Sequence, residues 1–581
     1  MQNAGAMRPE VRAEFEAALA RIDGDVPFRT RFERWFTELR DPLARVYGDR
    51  FQWDELLAKL AAAAAARTPE LRVLDHEREI TPDWLHREQQ LGYVAYADRF
   101  AGTLAGVRER IPYLRELGVG YLHLMPLLKM RPEPNDGGYA VVDYGAVEPS
   151  LGTMDDLREL ASALRAEGMA LCVDVVLNHT AREHAWARAA MAGDTRMLAR
   201  YLTFEERPER PELPDVFPDS APGSFTYEPE LGRWVWTTFN TYQWDLDWSN
   251  PDVFVAMASA MLELASAGVD VLRLDAAPFM WKREGTNCQN LPEVHELLAA
   301  LRALFRIAAP AVAFKAEAIV APRDLVPYLR ECDLAYHNVL MALLWSTLAS
   351  GKVALMTSAL RAMPQVAGWL TYVRCHDDIG WAITDEDAAA VGEDGAAHRR
   401  FLADFYAGDF PGSFARGARF QGERTSGAAA SLAGIDVDPE LGVKRLLALY
   451  AVAFAFGGLP MIYMGDELGL GNDERWADTP AHAGDNRWMH RPRMDWDAAG
   501  RRHDTATVEG RLWAGLRELM ELRRSTRAAH AEAATEPFWT GNEHVFGLWR
   551  ERGEDRLRLL VNFSASPQDG LGPYEYRWER L

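Results

Sequence analysis

Cysteine is scarce in this chain and scattered along it. The four residues, Cys172, Cys288, Cys332 and Cys375, form no CxxC pair and have no histidine ladder around them, which argues against a zinc site. Three lie in or beside apolar, strand-like runs, the setting of buried thiols, and the expectation is a reducing compartment. A basic surplus is also missing: 64 Lys and Arg face 86 Asp and Glu, for a formal net charge of -22. Phosphates need basic patches, so nucleic acid and anionic membrane surfaces are poor partners. No run approaches the roughly 18 apolar residues of a membrane span. The opening MQNAGAMRPEVRAEFEAALARI has no apolar signal core. A soluble, cytoplasmic protein is expected. Beyond the alanine run Ala61–Ala66 there is no low-complexity tract, and no internal repeat.

What the chain does have is apolar residue in quantity, 48% of 581 positions, enough for a large core. Over residues 1–90 the pattern is helical. Val11, Phe15, Leu19 and Ile22 recur at helical spacing, as do Phe28, Phe32, Phe36 and Leu39, followed by Leu56, Leu57 and Leu60. From Gly92 short apolar runs alternate with amphipathic segments. Eight runs read as strands: GYVAYADRF, GYLHLMPLL, ALCVDVVLNH, VDVLRLDA, VAFKAEAIV, a weaker one near LAYHNVL, WLTYVRCHD and GLPMIYMGDE. Strand–helix alternation with this count predicts an α/β fold, a closed (β/α)8 TIM barrel. An open doubly wound sheet would want a glycine-rich phosphate loop after its first strand, and none is found.

The barrel would occupy residues 91–179, 251–381 and 439–528. Two intervals too long for ordinary connections interrupt it, 180–250 after the third strand and 382–438 after the seventh. A hairpin-rich C-terminal β domain would span residues 529–581.

Barrel chemistry sits at the C-terminal ends of strands. Asp275 ends the fourth run, Glu317 the fifth and Asp377 the seventh, so three carboxylates should converge on one pocket. Each could instead cap the following helix. Three together, each beside a basic or imidazole group, favour chemistry. Arg273 and Asp275 lie two apart and share a strand face, so the guanidinium should keep Asp275 ionised as a nucleophile. Glu317, in the nearly apolar FKAEAIV, should be raised by desolvation as a proton donor requires. Asp377 would bind sugar hydroxyls. A retaining glycosidic reaction needs such a pair.

DVVLNH (Asp174–His179), LRLDA (Leu272–Ala276), KAEAI (Lys315–Ile319) and RCHDD (Arg374–Asp378) resemble, in order and spacing, the four sequence regions of the α-amylase superfamily of glycoside hydrolases and transglycosylases. WVWTTFNTYQWDLDWSNP, FMWKREGTNCQNLPE, YVRCHDDIGW, GSFARG and AGDNRWMHRPR look like its amylosucrase branch, which builds α-1,4-glucan from sucrose. The resemblance implies Asp275 as nucleophile, Glu317 as acid/base and Asp377 as transition-state stabiliser. It implies that His179 and His376 bind glucosyl hydroxyls beside Arg273, over an aromatic floor of Tyr139 and Phe239. Asp136 and Arg487 would pair across the far end of the pocket and close it to one glucosyl unit. Gln243 and Asp378, with Arg416 and Arg424 on the acceptor side, are candidates for contacts with fructose or an acceptor chain.

Sucrose as donor and an α-glucan or maltooligosaccharide as acceptor follow from the same resemblance, with no cofactor. Asn178 resembles a calcium ligand of some relatives, but no accompanying ligand set is seen and no metal is expected. The rival expectations are a sucrose hydrolase, in which water takes the glucosyl group, and a non-catalytic sugar-binding barrel. Oligomeric state is not legible.

Overall fold

The computed structural model describes residues 9–21, 24–216, 221–318, 320 and 322–581. Ile22 and Ile319, both used in the sequence reading, lie outside them. Eight parallel strands close into a barrel in chain order: β1 (Gly92–Ala95), β2 (Tyr121–Leu124), β3 (Ala170–Val176), β4 (Val271–Asp275), β5 (Ala313–Ala316), β6 (Leu334–Tyr336), β7 (Trp369–Tyr372) and β8 (Leu459–Tyr463). All eight fall within the runs expected to form them. Each strand is buried along nearly its whole length, as a sheet covered on both faces requires.

The N-terminal residues form helices Pro9–Leu19, Val26–Tyr47, Trp53–Ala66 and Pro69–Ile80. In the second, the Asp25 side chain caps the Phe28 amide, and Phe28, Phe32, Phe36 and Leu39 make one buried stripe. The stripe packs on Phe15 and Trp53 of the neighbouring helices, and another side of the same helix lies along helix Pro292–Ala308, which follows β4. The Tyr47 hydroxyl donates to the Trp248 carbonyl at 2.9 Å. The helical segment is therefore packed on the flank of the barrel that carries β3 and β4. The C-terminal residues form a four-stranded antiparallel sheet from Ala534 to Arg580. No helix of the described residues is long and apolar enough to cross a membrane. Cys172, Cys288 and Cys332 are buried free thiols, and Cys375 is half-buried.

Excursions from the strand ends build the rim. A hairpin of Leu128–Met130 and Val141–Val147 follows β2, and long excursions follow β3 and β7. A third excursion, residues 464–507 after β8, was not anticipated as separate from the barrel. It runs through short 3-10 turns and carries Arg487.

The excursion after β3 is tied down by a buried cation. Lys282 Nζ donates to Asn178 Oδ1 (3.0 Å), Thr238 Oγ1 (3.2 Å) and the Phe279 carbonyl (2.7 Å), and pairs with Asp245 Oδ2 at 2.7 Å. Four oxygens from three segments thus surround one ammonium, and Asn178 serves that cage. Removing one partner of a buried pair costs about 3–5 kcal/mol. Lys282→Ala is expected to lower the unfolding midpoint and to create a cavity lined by oxygen ligands, the chemistry that calcium prefers. Calorimetry with and without calcium checks this: the variant's midpoint should rise with calcium and the wild type's should not.

Candidate active site

The floor of the site is built by strand register. Parallel pairing sets Asp174 on β3, Arg273 on β4 and Lys315 on β5 side by side, so all three point into the barrel. All are buried. Arg273 Nη1 contacts Asp174 Oδ1 at 2.6 Å and Asp275 Oδ1 at 2.5 Å, and its Nη2 contacts Glu317 Oε1 at 2.8 Å. One guanidinium fork therefore grips three carboxylates. Behind it, Lys315 Nζ lies 2.9 Å from His123 Nδ1, and His123 Nε2 lies 2.7 Å from Asp174 Oδ2. Burial, with Lys315 beside it, pushes His123 down to about 4, so the ring is neutral. It accepts from the ammonium and donates to Asp174. Burial alone would raise Asp174, but Arg273 and His123 overcome it and hold the carboxyl well below its usual range.

Asp275 and Glu317 stand next to each other on this fork. Glu317 Oε2 also accepts from the Ala276 amide at 2.9 Å, which fixes the carboxyl over the end of β4. Ala276 adopts a left-handed conformation, φ 52°, turning the chain sharply after β4. The expectation that Arg273 keeps Asp275 low is overturned. Burial first, and the adjacent Glu317 second, push Asp275 well above the usual carboxylate range, with Arg273 only opposing them. Arg273 already shares its charge with Asp174 and Glu317, a load the two-residue spacing did not reveal. The pair is best described as sharing one proton.

A cavity of about 330 Å³ opens above the pair. Asp136, Tyr139, His179, Phe239, Arg273, Asp275, Glu317, His376, Asp377, Asp378, Arg424 and Arg487 all line it. The Tyr139 hydroxyl is 2.9 Å from His376 Nε2, and the two rings stack at 5.6 Å. His179 Nε2 donates to the Tyr139 carbonyl at 3.1 Å, and the His179 ring packs on Phe239 at 5.3 Å. Burial lowers both histidines, His376 well below its ordinary value, so both offer neutral rings. Asp377 Oδ1 lies 3.3 Å from His376 Nε2 and 4.0 Å from Arg487 Nη1. Arg487 Nη2 pairs with Asp136 Oδ1 at 2.9 Å and with Asp485 Oδ2 at 2.6 Å. Its side chain is 10% exposed and that of Asp136 11%, so the bridge is not an ordinary surface ion pair. It stands across the cavity wall that the first and last excursions share.

Two candidates sit elsewhere. Gln243 is buried behind the wall and donates to Asp136 Oδ2 at 3.2 Å, while accepting from Asn240 at 2.8 Å; it braces Asp136 and does not line the cavity. Arg416 is exposed, its Nη1 donating to the Ala415 carbonyl at 2.8 Å, and is not among the lining residues. Arg424 is at the mouth, 3.5 Å from Asp378 Oδ2 and over the Phe420 ring at 4.9 Å.

Sequence reasoning missed Asp174, His123 and Lys315 as members of the network. The signal was present for Lys315, which precedes Glu317 by two as Arg273 precedes Asp275. Tyr336, Met341, Tyr372 and Phe279, also lining, read as core aromatics and apolars and gave no signal. Among the described residues, Cys375, His376 and Asp377 bring potential metal-ligand atoms within 4.8 Å of one another. Burial pushes the Cys375 thiol up to about 12, and His376 Nε2 is engaged by Tyr139, so the set is a poor metal holder.

A carboxyl raised on folding binds a proton that the unfolded chain has released. Its stabilisation is present below the unfolded carboxyl value, about 3.9, and is lost as pH rises through the folded value. Asp275→Asn is therefore expected to unfold at a higher temperature than wild type at pH 8, with the gap shrinking towards pH 4. Calorimetry over that range checks it. For Asp174, held low, the sign is reversed: its contribution is present above about pH 4 and is lost on acidification. Asp174→Asn should destabilise at pH 7, by about 3–5 kcal/mol for a broken buried pair.

Comparison with known proteins agrees with this geometry. Residues 50–375 match the family described as alpha amylase, catalytic domain. Trehalose synthase of Thermus thermophilus is 31% identical over 381 residues, covering 64% of this chain and 37% of that protein. Trehalose synthase/amylase TreS of Mycolicibacterium smegmatis is 28% identical, over 64% of this chain and 60% of its own length. The chain thus spans less than two thirds of the length of each of these two relatives. Glucosylglycerate phosphorylase of Spirochaeta thermophila is 27% identical over 503 residues, 83% of this chain and 81% of that one. Among solved structures, sucrose 6F-phosphate phosphorylase from Thermoanaerobacter thermosaccharolyticum superposes with a TM-score of 0.68 at 18% identity, over 85% of this chain and 96% of that one. With more than half its length matched by the family and the barrel closed in the expected order, the chain belongs to the alpha-amylase catalytic-domain family.

Proposed function

We propose that the protein is a retaining α-glucosyltransferase that takes one glucosyl unit from sucrose and passes it to the 4-hydroxyl of an α-glucan or maltooligosaccharide. The observation that carries this reading is the buried Asp136–Arg487 bridge across a cavity whose floor is the Asp275–Glu317 pair. A wall at that place leaves room for a terminal sugar and no continuing chain. The names of the curated relatives, trehalose synthase and glucosylglycerate phosphorylase, concern small glucosides, and support a single-unit pocket.

In the proposed reaction Asp275 attacks the anomeric carbon while Glu317 gives the shared proton to the fructosyl oxygen. The glycosidic bond breaks, fructose leaves, and the glucosyl group is an ester on Asp275. Glu317, now ionised, takes the proton of the acceptor hydroxyl, whose oxygen attacks the same carbon and frees Asp275. Two inversions give retention. Carboxyls gripped by one guanidinium fit the short separation of retaining enzymes, roughly 5–5.5 Å, better than the wider one that admits a water between them. Asp377, held between His376 and Arg487, would bind hydroxyls of the distorted ring, with Tyr139 and Phe239 against its faces. Arg424 and Asp378, which line the same cavity, would meet the fructosyl or acceptor side.

Incubating pure protein with sucrose alone tests the reading. Fructose in excess of glucose, with α-1,4-glucan accumulating, supports it; equal fructose and glucose without polymer makes the protein a hydrolase. No fructose, with turnover of trehalose or of glucosylglycerate plus phosphate in parallel incubations, overturns sucrose as donor. Asp275→Asn should lower fructose release by at least about 10⁴-fold. Arg487→Ala should lower it by about 10²-fold or more through misplacement of the sugar, with little effect on the Asp275–Glu317 pair. Activity against pH should be bell-shaped, falling on the alkaline side as the pair loses its shared proton.

A further inference from the structure

Asp136 and Ala276 both line the cavity, and both are non-glycine residues with positive φ, at 56° and 52°. Two more such residues, Cys288 at 55° and Asn290 at 54°, stand on either side of Gln289. Gln289 lines the same cavity. L-residues avoid this region because Cβ crowds the following carbonyl; asparagine tolerates it and cysteine does so less. Outliers of this kind persist only where the surrounding contacts over-determine them, and they collect at sites that hold a ligand.

The turn is held from both sides of Gln289. Cys288 is 2% exposed and packs on Phe225 and Trp236 of the β3 excursion. Its sulfur lies 3.4 Å from both the amide nitrogen and the carbonyl oxygen of Arg283, and 3.5 Å from Arg210 Nη2. Its own amide donates to Thr286 Oγ1 at 3.2 Å. Arg210, also on the β3 excursion, donates to the Arg283 carbonyl at 2.9 Å. On the other side, the Asn290 amide donates to the Pro278 carbonyl at 3.0 Å, and Asn290 Oδ1 accepts from the buried Tyr328 hydroxyl at 2.8 Å. The Gln289 amide donates to Asn287 Oδ1 at 3.2 Å. All of these bonds serve the backbone and the flanking side chains. The Gln289 carboxamide itself is hydrogen-bonded to none of the described residues.

The excursions after β2 and β8, which carry Asp136 and Arg487, flank β1, and β4 lies on the far half of the closed ring. Gln289 follows β4, so it reaches the cavity from the side away from the Asp136–Arg487 wall. The group joined to the glucosyl unit must stand on that side. A carboxamide both donates and accepts, and it has no charge. It matches a sugar hydroxyl, which also does both, and it leaves the Asp275–Glu317 pair undisturbed, as a further carboxylate would not. We propose that Gln289 is a specificity-determining residue: it binds a hydroxyl of the neutral sugar that leaves the donor, and of the sugar that replaces it as acceptor. Cys288 and Asn290 are positioning residues that act through it. The assignment rests on the single-unit glucosyl pocket of the proposed reaction.

Steady-state kinetics of the full chain with α-glucosyl fluoride test it, because this donor carries no sugar beyond the glucosyl unit. Fluoride release is followed with and without fructose or maltotriose as acceptor. Gln289→Leu should raise the acceptor KM by about 5- to 10-fold, the worth of one neutral hydrogen bond, and shift product from transfer to free glucose. kcat/KM for the fluoride without acceptor should fall by a smaller factor. Cys288→Val, which resists a positive φ, should raise the same acceptor KM, and Cys288→Ser should recover it. The double variant Gln289→Leu, Cys288→Val should be no worse than Gln289→Leu alone. An unaltered acceptor KM in Gln289→Leu, or equal losses with and without acceptor, overturns the proposal while leaving the glucosyl pocket in place. Wild-type protein that releases no fluoride overturns both. If Cys288→Val fails to fold, the Gln289→Leu kinetics decide.

Discussion

The structure turns on one desolvated guanidinium. Arg273, 1% exposed, holds Asp174, Asp275 and Glu317 at once. Carboxylates this close, out of water, would drive one another to protonation; a planar fork of fixed geometry can hold them in register while leaving one proton to be shared. The parallel pairing of β3, β4 and β5 makes this possible, because in-register neighbours on closed strands point the same way. Lys315 and His123 behind the fork supply the second cation and a neutral relay. The site is thus a layer of the barrel interior built from charged side chains of β3, β4 and β5.

Around that layer the molecule is arranged as a closing wall. The hairpin after β2 brings Asp136 and Tyr139, the interval after β3 brings Phe239, and the excursion after β8 brings Arg487. Each is tethered by buried polar contacts: Asp136 by Gln243, the β3 excursion by Lys282, Arg487 by Asp485. Such tethers cost desolvation, but they place loop residues with the precision a sugar pocket needs. The helical N-terminal segment and the C-terminal sheet stand away from the cavity, and nothing lining it comes from either.

Much of the fold was legible because a barrel strand covered on both faces must be an unbroken apolar run, and the eight runs stand out against amphipathic helices. The three carboxylates were legible for the same reason. A charge that ends an apolar strand can cap a helix, but three on neighbouring parts of one rim point to a shared pocket. Protonation was not legible: a two-residue spacing shows that Arg273 faces Asp275, but not that Asp174 and Glu317 compete for the same cation from neighbouring strands. Nor could the sequence separate Gln243 and Arg416 from true lining residues. Which side of a loop faces a cavity depends on tethers far away along the chain, as Gln243 to Asp136, 107 positions apart, shows.

In the proposed reaction Asp275 supplies the oxygen of a covalent glucosyl ester while Glu317 only moves protons. Glu317→Gln, given an α-glucosyl fluoride whose leaving group needs no proton, should form the ester and stall before acceptor attack. Peptide mass spectrometry of the acid-quenched protein should then find one glucosyl group on the peptide containing Asp275. A glucosyl group on any other residue, or turnover of the fluoride to an inverted product with no labelled peptide, would contradict it.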